Sequence, residues 1–143
     1  MENHRNPAMA KSVEFSNIRI FAAETRRMTC FVRHELEHTY HDRVYGFDSA
    51  GFVAAYERAK ACKNYDAVER WHGDGRPNTM AWAYAMTNPM EYLSESTEAS
   101  FGRNDFYPFI REVFRKLDPA MEECSSESGP ISPVERTPLD ERV

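Results

Sequence analysis

Met28, Phe31, Val32, Leu36, Tyr40 and Val44 recur at helical intervals, and 23–43 holds neither Gly nor Pro. This spacing keeps one side apolar and predicts a single amphipathic helix ended by Gly46. Upstream, Val13, Phe15, Ile18 and Ile20 of SVEFSNIRIF form two short alternating sets. They predict a strand, or a kinked strand pair, over 12–21. Downstream, Phe52, Ala55, Tyr56 and Ala59 lie on one stripe of a further helix that starts behind an Asp48-Ser49 cap.

The pattern changes over 67–84, where the β-favouring runs AVERWH and NTMAWAYAM flank GDGRP. A hairpin is expected, with Trp71 and Trp82 in its core and Tyr84 on its exit strand. In TNPMEYLSE, Asn88 suits an N-cap, Pro89 the first helical position and Glu91 the first turn. That helix is expected to end near Gly102. Another should run from an Asn104-Asp105 cap through FYPFIREVFRKL to Asp118-Pro119, packed by Phe101, Phe106, Tyr107, Phe109 and Phe114.

These elements make one domain over 13–120, as a chain of 143 residues allows. Segment 1–12 is polar and expected to fray. Segment 121–143, rich in Ser, Pro and charge, has few residues able to bury surface and is expected to be a disordered tail. The fold class expected is α+β, mostly helical with one hairpin.

Charge and cysteines narrow the chemistry. A formal charge of -5 disfavours a nucleic-acid backbone as partner. No stretch suits a signal peptide or a bilayer span, so a cytoplasmic protein without a membrane partner is expected. Cys30, Cys62 and Cys124 are odd in number and lack C-x-x-C spacing, which argues for reduced thiols rather than a disulfide framework or a thiolate zinc site.

HELEHTYHD, 34–42, carries the sharpest chemical signal. Residues four apart on a helix differ by about 40° in direction and about 6 Å in height, so His34 and His38 can face one ion. Zinc accepts neutral imidazoles, and a catalytic site takes about three protein ligands with one position left for water. Glu35, beside the ion, would accept the proton of a water whose pKa the metal lowers towards about 7. His41 rises roughly 10 Å above His34 and belongs behind the ligands or on the surface. A metzincin continuation would need Gly at position 41 and His at 44, where the chain has His41 and Val44. A peptide deformylase would need a cysteine ligand in an upstream Gly-Cys-Leu stretch, and nothing like it precedes His34. The remaining source of a third ligand is a carboxylate on a second helix, where Glu91 and Glu95 lie one turn apart.

The pairing of HELEHTYH with YAMTNPMEYLSESTEASFGRNDFYPF resembles the Glu-zincin peptidase domain of the anthrax lethal factor type, over about residues 31–117. The resemblance implies a zincin-like domain in which a hairpin separates two metal-bearing helices. It implies a bound Zn2+ with His34, His38 and Glu91 as ligands, and Glu35 as general base. It further makes Tyr84 a donor to the oxyanion or leaving group, and Glu95 the acid that orients a ligating histidine. The expected activity is zinc-dependent hydrolysis of peptide bonds in a peptide or protein substrate.

An inactive zinc-binding scaffold of the same fold is the alternative. Two departures favour it: Glu37 stands where the family commonly has a small residue, and only 33 residues precede His34 to build a substrate-binding sheet. A metal-free helical binding domain is a third expectation.

Overall fold

The computed structural model describes residues 13, 17–46 and 49–122. Segment 1–12, most of the expected tail, Phe15 of the expected strand and Asp48 of the expected cap lie outside the described residues. In chain order the elements are α1 (Ile18–Arg27), α2 (Phe31–Tyr40) continued by a π-helical turn (His41–Tyr45), and α3 (Ala50–Cys62). Then come β1 (Val68–Arg70), β2 (Thr79–Ala81), a 3-10 turn (Tyr84–Met86), α4 (Pro89–Phe101) and α5 (Arg111–Leu117). The architecture is mostly helical with one two-stranded antiparallel sheet, an α+β arrangement. No helix among the described residues is long and apolar enough to cross a membrane.

Ile18 to Phe21 open α1 and are not a strand. Asn17 decides this locally: its side-chain oxygen accepts from the Arg19 and Ile20 backbone N–H groups at 3.0 and 3.3 Å. Two orphan donors at the helix start are thereby satisfied. The single helix expected over 23–43 is two helices with a turn at Met28–Cys30. Met28 and Cys30 are both buried, at 4% and 7% exposure. On a continuous helix, residues two apart point about 200° from one another, so one of them would face solvent. Breaking the helix lets the chain bury both.

Gly46 ends the π-helical turn at φ +72°, with its N–H on the His41 carbonyl, as expected of a helix-stopping glycine. In α3 the buried residues are Phe52, Ala55, Tyr56 and Ala59, the stripe read from the sequence. Ser49 occupies its N-cap position without a side-chain capping bond. The hairpin pairs Val68 with Ala81, Glu69 with Met80 and Arg70 with Thr79. Tyr84 lies beyond it, in the 3-10 turn rather than on a strand, and Trp82 is 51% exposed rather than core.

α4 is the centre of the domain. It packs against α2, the 3-10 turn, α5 and α3, and every residue from Tyr92 to Ser100 is buried. Asn88 caps it through the Glu91 N–H, with Pro89 at its first turn, as expected. Its apolar side, Tyr92, Leu93 and Ala99, joins Tyr56, Tyr65, Phe114 and Met121 in the core. Met121 and Glu122, at the start of the expected tail, are buried. The buried phenols keep hydrogen-bond partners: Tyr56 donates to the Met86 carbonyl, and Tyr65 and Tyr92 both donate to Asp118.

The last helix is shorter than expected, because 104–110 is not helical. Instead this segment lines the free side of β1: Phe106 bridges Arg70, Trp71 donates to the Asp105 carbonyl and Tyr107 to the Glu69 carbonyl. Pro108 lacks the N–H a helix interior requires, and pairing with β1 satisfies the backbone that a helix would otherwise have served. Phe106 and Phe114 are buried as packing residues, whereas Phe101 is 36% exposed beneath the Arg33 guanidinium.

Candidate metal centre

α2 and α4 lie side by side, and they bring together three of the residues singled out in the sequence. His34 Nε2 is 3.0 Å from Glu91 Oε2, and His38 Nε2 is 3.4 Å from the same oxygen. The three donor atoms all lie within 4.8 Å of one another. Four ligands at 2.0–2.1 Å around a tetrahedral zinc stand about 3.3 Å apart. The two separations to Glu91 bracket that value, so these three donors could hold a metal ion.

Helix geometry explains the convergence. His34 and His38 share a face of α2 because they are four residues apart. Glu91 is fixed near the start of α4 by its backbone bond to Asn88, which leaves its carboxylate free to face α2. Both histidines present Nε2 to Glu91 because their other nitrogens are engaged. His34 Nδ1 is 3.0 Å from Glu98 Oε1, and His38 Nδ1 is 3.1 Å from Ser94 Oγ. Glu95, the acid the resemblance places behind a histidine, is 3.7 Å from His34 Nδ1, beyond hydrogen-bond reach.

The remaining expected residues surround this cluster. Tyr84 donates to Glu91 Oε1 at 3.3 Å and is 45% exposed, so its hydroxyl is within reach of both the site and solvent. Glu35, half-buried, lines a cleft of about 300 Å³ together with His34, Tyr84, Glu95 and Glu98. α1 contributes Glu24 and Arg27 to the cleft lining, and Asp105 lines it as well. His41 is not part of this set. It is fully buried, its ring edge-on to Phe52 and Tyr45 with centroids 5.2 and 6.3 Å away, so it is core and not surface.

The electrostatics follow from burying three carboxylates around two imidazoles. Burial disfavours a charged His34, but hydrogen bonds to Glu91 and Glu98 and the charge of Glu95 outweigh it and push its pKa up to about 10. Burial opposes ionisation of Glu91 as well, yet the bonds to His34 and His38 draw it down to about 2. Glu95 is pushed up to about 8 by burial and by the neighbouring charges of Glu98 and Asp105. Burial also raises Glu98, against the pull of His34. The hydrogen bonds to Glu91 and Glu98 thus favour the charged form of His34, and a metal held on Nε2 would take the place of its proton. Tyr84 is raised by burial and by Glu91, so its phenol keeps its proton at neutral pH and can donate it.

Glu37 is buried at 5% exposure, with one carboxylate oxygen lacking a hydrogen-bond partner, and burial raises its pKa. Arg33, one turn earlier, supplies the largest compensating charge. Ser94 and Glu98 are the residues that sequence reasoning passed over. Both lie on the Glu91 stripe of α4, three and seven residues on, a position that motif spacing does not distinguish from an ordinary polar helix face. The chain matches no model of a known protein family, no curated protein and no solved structure.

Proposed function

We propose that this chain is a zinc-dependent peptidase of zincin-like design, with His34, His38 and Glu91 holding the ion. The observation that carries the reading is the meeting of His34 Nε2, His38 Nε2 and Glu91 Oε2 from two packed helices, beside a cleft lined by Glu35 and Tyr84. When bound, zinc supplies a Lewis acid and lowers the pKa of water towards about 7.

The chain's own groups do the rest. Glu35 accepts a proton from the attacking water and returns it to the leaving amine. Tyr84, protonated at neutral pH, donates a hydrogen bond where negative charge develops on the scissile carbonyl oxygen. In this reading the cleft, to which α1 contributes Glu24 and Arg27, receives the peptide substrate.

A second reading has its own support. The segment before α2 is helix α1, where the described residues place no sheet edge to hold a substrate, and Glu37 is buried rather than solvated. An inactive zinc-binding scaffold would need neither. Metal analysis of the purified protein beside His34→Ala, followed by digestion of a peptide library with wild type and Glu35→Gln, separates the readings. The peptidase predicts about one zinc per wild-type chain and chelator-sensitive cleavage that Glu35→Gln abolishes while keeping the metal. Cleavage surviving Glu35→Gln refutes the mechanism. Zinc without cleavage leaves the scaffold, and no zinc leaves the metal-free domain.

A further inference from the structure

α2 and α4 run antiparallel in a fixed register. Glu98 meets His34 and Ser94 meets His38, so a step of four forward on α2 matches a step of four back on α4. The next step in the other direction pairs Cys30 with Gly102, where a Cβ would stand 2.3 Å from Cys30 Sγ. A side chain at 102 would require Cys30 to shift, so the glycine lets the two residues sit together in the same register.

An imidazole that binds a metal through one nitrogen carries its hydrogen on the other, and the partner of that hydrogen sets the tautomer and the ring orientation. Here both partners come from the helix that also supplies Glu91. Glu98 and Ser94 are 3% and 0% exposed, so water does not compete for either contact. Glu98 Oε2 is buried without a hydrogen-bond partner, which leaves Oε1 on His34 as the working end of this carboxylate. Glu95 falls between the two paired positions of the register, which is why its oxygen stops 3.7 Å short.

We infer that Glu98 and Ser94 are the positioning residues of the two candidate histidine ligands, Glu98 orienting His34 and Ser94 orienting His38, in place of Glu95. This rests on the metal-centre reading above. The Glu98 contact is the stronger, because its acceptor is a carboxylate, while Ser94 offers an uncharged hydroxyl.

The test measures Zn2+ affinity by competition with a chromophoric chelator, and the visible spectrum of the Co2+-loaded protein. The variants are Glu98→Gln, Glu98→Ala, Ser94→Ala and Glu95→Gln, with folding checked by circular dichroism. Loss of such a partner weakens metal binding about 10–100-fold, the range expected for Glu98→Ala. Glu98→Gln retains a neutral acceptor and should fall between Ala and wild type, and Ser94→Ala should lose less. Glu95→Gln should stay within about threefold of wild type and leave the Co2+ bands unshifted, whereas Glu98→Gln shifts them. Should Glu98→Ala fail to fold, the comparison of the two isosteric Gln variants decides. Zinc affinity that depends on His34 but is unchanged in Glu98→Gln, or falls further in Glu95→Gln, overturns this inference and leaves the metal centre standing. A wild type that binds no more zinc than His34→Ala overturns both.

Discussion

Replacing His34 by Ala in chelator-treated protein tests the electrostatics of the α2–α4 interface without reference to any metal. The side chain, 11% exposed, sits 3.0 Å from Glu91, 3.0 Å from Glu98 and 3.7 Å from Glu95. Alanine leaves Glu91 with His38 and the Tyr84 hydroxyl, and Glu98 with no imidazole. Removing one partner of a buried ion pair costs about 3–5 kcal/mol, because the other charge stays desolvated. Protonation of Glu95 and Glu98, both already pushed upward by burial, relieves part of that loss. A net loss of about 3 kcal/mol is expected, or roughly 10–20 °C in melting temperature for a domain of this size. Urea unfolding followed by far-ultraviolet circular dichroism at neutral pH measures it. Adding Glu98→Gln to His34→Ala should recover about 1 kcal/mol, since the amide removes a charge that has lost its partner. A loss below about 1 kcal/mol, or strict additivity of the two substitutions, would refute the charge assignment.

Other perturbations probe separate parts of the molecule. Glu91→Ala should reduce zinc affinity far more than Glu95→Ala in the same chelator competition, and equal effects would mean that Glu91 is not the third ligand. Tyr84→Phe should lower peptide turnover by about 10²-fold while zinc content is unchanged and stability stays within about 0.5 kcal/mol, as suits a half-exposed phenol. Gly102→Ala should destabilise by about 1–3 kcal/mol through its clash with Cys30 Sγ, and Cys30→Ala should largely rescue it in urea melts. Burial opposes ionisation of Glu122, but bonds from Arg111 and Arg115 hold its pKa below the usual carboxylate range. Its contribution is therefore present above the ordinary glutamate pKa and lost as pH falls through the lowered value. Arg111→Ala, removing a half-exposed partner, should cost about 0.5–1 kcal/mol at neutral pH and little in acid, as read from melts across pH.

Local rules were enough for several elements. Asn88-Pro89 fixes the start of α4, Gly46 ends the turn after α2, and the stripe of Phe52, Ala55, Tyr56 and Ala59 fixes the buried side of α3. In each case the deciding interaction lies within a few residues of the chain. The spacing of His34 and His38 is legible for the same reason, since one helix turn sets it. Where the local signal competed with burial elsewhere, the sequence alone misled. Met28 and Cys30 could both be buried only by breaking a helix, and 104–110 gave up helical bonds to pair with β1.

The sequence by itself determined which residue types could form a metal centre, and that two helices carry them. Only tertiary structure decided how those helices meet. The antiparallel register puts Glu91 on the Nε2 atoms, Glu98 and Ser94 behind the rings, and Glu95 just out of reach. Tertiary packing also buries Glu37 and, against Phe52 and Tyr45, His41, which share α2 and its continuation with the candidate ligands. Periodicity says which face a side chain is on, but the relative sliding of two packed helices by one residue, about 1.5 Å, selects the atoms that touch.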